Sequence, residues 1–259
     1  MRRFALILLI LFRIEAFAST QPEHSANEYF QIGFDAANNG QYDLALKNYS
    51  LAIELDPNRI YFFYHRGLAY KSLGLRPSAI ADFERCLAMK PLAEAYYQLG
   101  IIKYEDQDFT SALEYFEKSK ELKDDLDKLN YYLGVLNYRA NNFDTAEALL
   151  ARYTHLVKTN SDAYLYLAMA KVKLHKYDEV PSILRLAALY KDNDWKFHLA
   201  MYDIYKEMGD KENMFYHISM VIELGQTKAE YYNIRAQLNQ DRGDSLNANY
   251  DLQSAVADK

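Results

Sequence analysis

One interval governs this sequence. A small residue recurs as Gly33, Gly67, Gly100, Gly134 and Ala168, gives way to Tyr202, and returns as Ala236, at steps of 34, 33, 34, 34, 34 and 34 residues. A second series runs Ala45, Ala79, Ala112 and Ala146, passes through Val180 and Met214, and returns at Ala248. Four residues beyond each of these stands a bulky side chain: Tyr49, Phe83, Phe116, Leu150, Leu184, Ile218 and Leu252. A fixed period of this length means that one supersecondary unit is repeated, each copy burying its apolar face on its neighbours. Any fold that does not place these positions equivalently is excluded.

The first copy shows what the unit is. Tyr29, Ile32, Gly33 and Ala36 lie on one face of a helix, and Gly40 breaks the pattern as a turn residue does. Leu44, Ala45, Tyr49, Ala52 and Leu55 form a second stripe, closed by Asp56-Pro57 because a residue before proline is pushed out of the helical region. The unit is helix–turn–helix. Two antiparallel helices approach to about 8–10 Å only where the crossing carries small side chains, which explains the glycine series. With 50% hydrophobic residues but only 9 Gly and 5 Pro, the chain has a core and lacks the turns that a sheet protein needs. The fold class expected is all-α, an α-α superhelix. Seven units are expected at 26–59, 60–92, 93–126, 127–160, 161–194, 195–228 and 229–259, with the polar-loaded helix around 245–256 exposed on one side as a terminal cap.

The N-terminus reads as an address. Arg2 and Arg3 precede an unbroken apolar run from Phe4 to Phe12, and Ala16-Phe17-Ala18 sets small residues where a signal peptidase cuts. Nine apolar residues fall well short of the roughly 20 that span a bilayer. The reading is a signal peptide at 1–18, a short linker at 19–25, and an exported chain placed in the periplasm or secreted, with no membrane span after cleavage. No cysteine stands near the cut, so a bacterial lipoprotein is excluded.

Chemistry is sparse. Cys86 is the single cysteine, which removes disulfide scaffolds and multi-cysteine metal sites. It sits where the first repeat has Ala52 and reads as a buried, inert thiol. The six histidines lack metal-ligand spacing, and no phosphate-binding loop, nucleophile elbow or zinc-protease motif is present. Asp124, Asp125 and Asp127 lack an EF-hand's glycine and closing glutamate, and read as helix-start residues. The net charge of −6 argues against nucleic acid as a partner. No catalytic residue, metal or cofactor is assigned, and the chain is expected not to be an enzyme.

These residues resemble the tetratricopeptide repeat family, whose pattern over 34 residues is W-x2-L-G-x2-Y…A-x3-F…P. Ile32-Gly33, Leu99-Gly100 and Leu133-Gly134 occupy the Leu-Gly pair, Arg66-Gly67 departs from it, and Pro57 and Pro91 close the first two repeats. Repeats five to seven are degenerate, with Tyr202 the largest departure. The resemblance implies a solenoid whose first helices line a concave groove. Carried over by repeat position, the groove receives Tyr61 and Tyr64, then Tyr97, Ile101 and Tyr104, then Tyr131, Val135 and Tyr138, then Tyr166 and Met169. Phe30 and Phe34 extend it, and Lys196, Asp203, Lys206, Glu207, Glu230 and Asp241 charge its far end. The plain alternative is that neighbouring first helices pack these rings as core. The functional reading is a binding surface, since tyrosine presents an apolar face and a hydrogen-bonding tip. The resemblance then implies a protein-binding scaffold of the cell envelope, taking a peptide or a partner's helix, with an extended polysaccharide as the alternative ligand. The Lys/Asn/Arg clamp by which some family members hold a chaperone's terminal carboxylate is absent in every frame.

Overall fold

The computed structural model describes residues 23–257, apart from 124, 125, 127, 190 and 192. The proposed signal peptide and the aspartates at 124, 125 and 127 lie outside the described residues. Fourteen α-helices are described, in seven antiparallel pairs, with one short 3-10 turn at Tyr177–Glu179. They are α1 (Ala26–Asn38), α2 (Tyr42–Leu55), α3 (Ile60–Ser72), α4 (Arg76–Met89), α5 (Ala93–Glu105), α6 (Phe109–Leu122) and α7 (Leu129–Arg139). The series continues with α8 (Phe143–Leu156), α9 (Ser161–Lys173), α10 (Val180–Ala188), α11 (Trp195–Met208), α12 (Lys211–Glu223), α13 (Ala229–Asp241) and α14 (Ser245–Ala257). The chain divides into two compact units, up to residue 124 and from residue 125.

Local chemistry sets the helix starts. Ser25 and Glu28 close a reciprocal capping box on α1, with the Ser25 hydroxyl accepting from the Glu28 N–H at 3.3 Å and the Glu28 carboxylate accepting from the Ser25 N–H at 2.7 Å. Asp108, Asn160, Asp194 and Asp210 cap α6, α9, α11 and α12 with their side chains. The turns within the pairs repeat as well. Gly40, Gly74, Gln107, Asn141, His175, Gly209 and Gly243 all have positive φ, between 57° and 76°. Each stands seven places after the small residue of its repeat. Glycine enters this left-handed region without penalty; the three side-chain-bearing residues hold it at a cost.

Packing inside each pair follows from the glycine series. A Cβ placed on Gly33, Gly67, Gly100 or Gly134 would come within 2.8, 2.8, 2.7 and 2.6 Å of Tyr49, Phe83, Phe116 and Leu150 respectively. The hydrogen of glycine is what lets those side chains pack against the facing helix. Along the chain the counterpart changes: Gly33, Gly67 and Gly100 meet aromatic rings, Gly134 meets Leu150, and the register sets Ala168 opposite Leu184 and Tyr202 opposite Ile218, all buried. Tyr202 therefore fits because its counterpart is smaller than a ring, and repeat six keeps its helix pair packed. Leu252 departs from the series. It is 39% exposed, whereas its six equivalents are fully buried, and Ala248, Asp251 and Ala255 are the buried residues of α14.

Arg66, the exception in the Leu-Gly pair, is explained by its partner. Its guanidinium donates from Nε and Nη2 to the two Asp82 oxygens, both at 2.8 Å, and from Nη1 to the Ser50 hydroxyl at 3.1 Å. Arg235 stands at the same place in repeat seven and grips Asp251 in the same fork, with Nη2 to Oδ1 at 2.6 Å and Asn239 adding a bond at 3.1 Å. Both pairs span 16 residues. In each of these two repeats a bidentate ion pair thus ties the first helix to the second.

Candidate functional site

The tyrosines come from first helices, and each unit carries its own set. In the first unit Tyr64 and Tyr97 stand three residues before Gly67 and Gly100. Their rings rest on Phe83 and Phe116, at centroid distances of 5.9 and 5.8 Å. The two rings that cover the glycines are therefore also the floor under the tyrosines. One face of each tyrosine is anchored and the residue stays half-buried. Tyr104 packs edge-on to Phe109 at 5.6 Å, and Ile101 is half-buried beside the glycine. Tyr61 is 59% exposed. Burial pushes the Tyr64 hydroxyl's pKa up, a bond to Gln98 opposing it, so this group stays neutral throughout the physiological range. The row continues into repeat one through Phe30, which stacks on Phe62 at 5.1 Å, and Phe34. His65 stands edge-on to both, at 5.2 and 5.5 Å. Burial among these rings lowers the His65 pKa, which keeps the imidazole neutral.

In the second unit Tyr131 packs between Tyr132 at 5.4 Å and Tyr153 at 5.5 Å. Tyr138 lies against Phe143 at 5.5 Å and meets Tyr166 edge-on at 5.7 Å. Burial raises the Tyr138 pKa, with the Lys173 ammonium pulling the other way. Met169 is half-buried. Val135 needs correction: it is 0% exposed, in a helix packed against α9, so it supports the surface and cannot itself meet a ligand. Ring by ring, the predicted groove tyrosines other than Tyr61 are half-buried. Most of these side chains are rooted in the core and show only part of their surface.

One further feature was not legible in the sequence. His198 and His217, 19 residues apart on α11 and α12, meet Nδ1 to Nδ1 at 2.9 Å in the interior of repeat six, where Tyr205 stacks on His217 at 5.5 Å. Burial, with His198 adding to it, lowers the His217 pKa to about 4. Only the unit's 34-residue register, placing the two on facing helices, could have suggested the contact. Cys86 is buried, its thiol donates to the Ile60 carbonyl at 3.4 Å, and desolvation raises its pKa to about 12, so it is held as an unreactive thiol. Among the described residues no group of three His, Cys, Asp or Glu side chains is placed to hold a metal ion. Among them, too, no helix is long and apolar enough to cross a membrane.

Comparison with known proteins places these repeats. Family models described as TPR repeat and tetratricopeptide repeat match residues 37–74 and 64–127. The chain is 39% identical over 74 residues, 28% of its length, to a tetratricopeptide repeat and J domain-containing co-chaperone of Cryptococcus neoformans. It is 25% identical over 140 residues, 54% of its length, to a lipoprotein NlpI homologue of Haemophilus influenzae. These stretches span 14% and 45% of the two relatives. Among solved structures, a tetratricopeptide repeat protein from Parabacteroides merdae superposes with a TM-score of 0.60 at 17% identity, covering 90% of this chain and 92% of that one. YrrB, described as a TPR protein with an unusual peptide-binding site, gives 0.61 at 18% identity over 68% of this chain and 92% of its own.

Proposed function

The chain is a tetratricopeptide-repeat protein, and from that premise we propose that it is a non-catalytic scaffold of the cell envelope that binds an extended peptide or a partner's helix on the tyrosine face of its first helices. One observation carries the reading: Tyr64 and Tyr97 are seated on core rings, with Tyr61 standing out beside them. Rings pre-set in this way lose little rotamer freedom on binding, which is what makes aromatic anchors effective at protein interfaces. Their hydroxyls supply hydrogen bonds along a backbone, while the faces between them take apolar side chains. A solved neighbour of the same fold is described as peptide-binding, which favours a peptide over a glycan. Export rests on the N-terminal sequence pattern.

Peptide-display selection against the full chain tests the proposal, with envelope glycans as a parallel arm. Peptides should be enriched, and the Tyr61→Ala/Tyr104→Ala variant should lose them while its helical circular dichroism persists. Peptides retained by that variant, or enrichment of glycans alone, would refute the peptide face. The mature N-terminus, read by mass spectrometry of the cellular protein, tests export: it should begin at Ser19.

A further inference from the structure

Within the second unit, a cleft of about 920 Å³ opens among α12, α13 and α14. The helix α13 packs against both of the others and forms the floor, while the two second helices form the walls. The floor carries Arg235, at the place that Arg66 takes in repeat two. The two guanidiniums are spent differently. Arg66 gives Nε and Nη2 to Asp82 and Nη1 to Ser50. Arg235 gives Nε and Nη2 to Asp251, and its Nη1 has no partner among the described residues. Ser219 precedes Arg235 by the same 16 residues as Ser50 precedes Arg66, and it lines the cleft without accepting that bond. Asp251 is 1% exposed and fixes the guanidinium, so an oriented donor is kept at the cleft with nothing in the chain to receive it.

The other polar groups are held in the same manner. Arg242 sits over the Phe215 ring, 4.3 Å from its centroid, and meets the Glu212 carboxylate at 3.5 Å. Asp244 accepts from the Asn247 N–H at 3.1 Å and from its amide nitrogen at 2.7 Å, which turns that amide and leaves its oxygen as an acceptor. Rings stand on both walls: Tyr216 of α12 is 51% exposed and Tyr250 of α14 is 66% exposed.

Charge selects against an ion. Arg235 and Arg242 each meet a carboxylate, and Glu223 and Asp244 line the cleft beside them. An anion therefore gains no net attraction, and a cation meets two guanidiniums. The apolar lining is aromatic throughout, Phe215, Tyr216 and Tyr250, with no aliphatic pocket to receive the side chains of a peptide. A neutral molecule with hydroxyls at its edges and C–H groups on its faces matches both parts of the lining, edges to the fixed planar groups and faces to the rings.

We infer that this cleft is a saccharide-binding site, in which Arg235, Arg242 and Asn247 take the ring hydroxyls and Tyr216 and Tyr250 take the sugar faces. It shares no residue with the tyrosine face of the first helices and stands if that face binds nothing.

Saturation-transfer difference nuclear magnetic resonance of the full chain with cellotetraose, maltotetraose and chitotetraose tests it. At least one should bind saturably, with transfer strongest on the C–H face of its sugar rings. Tyr250→Ala should weaken that binding by about tenfold, the size of one lost ring contact. Arg242→Gln should weaken it as well, and both variants, at exposed positions, should keep the helical circular dichroism of the parent. Tyr61→Ala/Tyr104→Ala should leave saccharide binding unchanged and Tyr250→Ala should leave peptide capture unchanged, which separates this site from the tyrosine face. No saturable binding of any of the three sugars, or binding that Tyr250→Ala and Arg242→Gln leave intact, would overturn the site.

Discussion

Substituting Gly100 with alanine brings two known effects into opposition. Alanine favours the helix over glycine by about 1 kcal/mol. Its Cβ, however, would lie 2.7 Å from both Cδ1 and Cε1 of Phe116, and ordinary contact begins near 3.4 Å. The ring must retreat by about 0.7 Å, and it is fully buried between α5 and α6 with Tyr97 packed on it. Overpacking of this kind costs about 1–3 kcal/mol, so Gly100→Ala should lose about 1 kcal/mol net. Phe116→Leu alone should lose about 1 kcal/mol by leaving a gap over the glycine. The double variant recreates the Ala168–Leu184 pair that repeat five already uses, and the two losses should largely cancel. Urea unfolding of the full chain, followed by circular dichroism, gives the four stabilities. A favourable coupling of about 1–2 kcal/mol is expected. Losses that simply add, within about 0.4 kcal/mol, would show that these side chains do not trade volume across the helix pair.

Other outcomes follow from the same packing. Asp82→Ala leaves the Arg66 guanidinium without its fork and should cost about 3 kcal/mol in urea unfolding, whereas Arg66→Leu/Asp82→Leu should recover most of it. The His198–His217 pair makes stability depend on pH. His217 titrates at about 4 when folded against 6.5 ordinarily, so the unfolded chain binds more protons between those values and stability falls as pH drops from about 6.5 to about 4. The loss approaches about 3 kcal/mol, and His217→Gln should flatten the melting temperature over that window. Gln107 holds φ at 62° where four other repeats have glycine, so Gln107→Gly should stabilise the chain by about 0.5–1 kcal/mol, read as a higher melting temperature.

The fold was legible because its signal is redundant. The glycine, alanine and ring series report the same helix pair, and the left-handed turn residues repeat the register once more through Gly40, Gly74, Gly209 and Gly243. Gln107, Asn141 and His175 hid that series from a search for glycine alone. The ion pairs were readable in principle, since Arg66 and Asp82 are separated by the same 16 residues as Arg235 and Asp251. They were obscured because a charged residue at an apolar position looks like degeneracy until its partner is seen. How far each first-helix residue is exposed was legible only in part. Repeat position says which side of a helix a residue takes, not how far a neighbouring helix covers it. Val135 and Ile101 hold the same position, and Val135 is wholly buried while Ile101 is not.

Photo-crosslinking in the native host tests the binding face most directly. A benzophenone amino acid placed at Tyr61 or Tyr104, on first helices, should form discrete adducts with another polypeptide, and the same group at Glu84, on the exposed side of α4, should form none. Adducts confined to Glu84, or equal at all three positions, would contradict a tyrosine face built for partner capture.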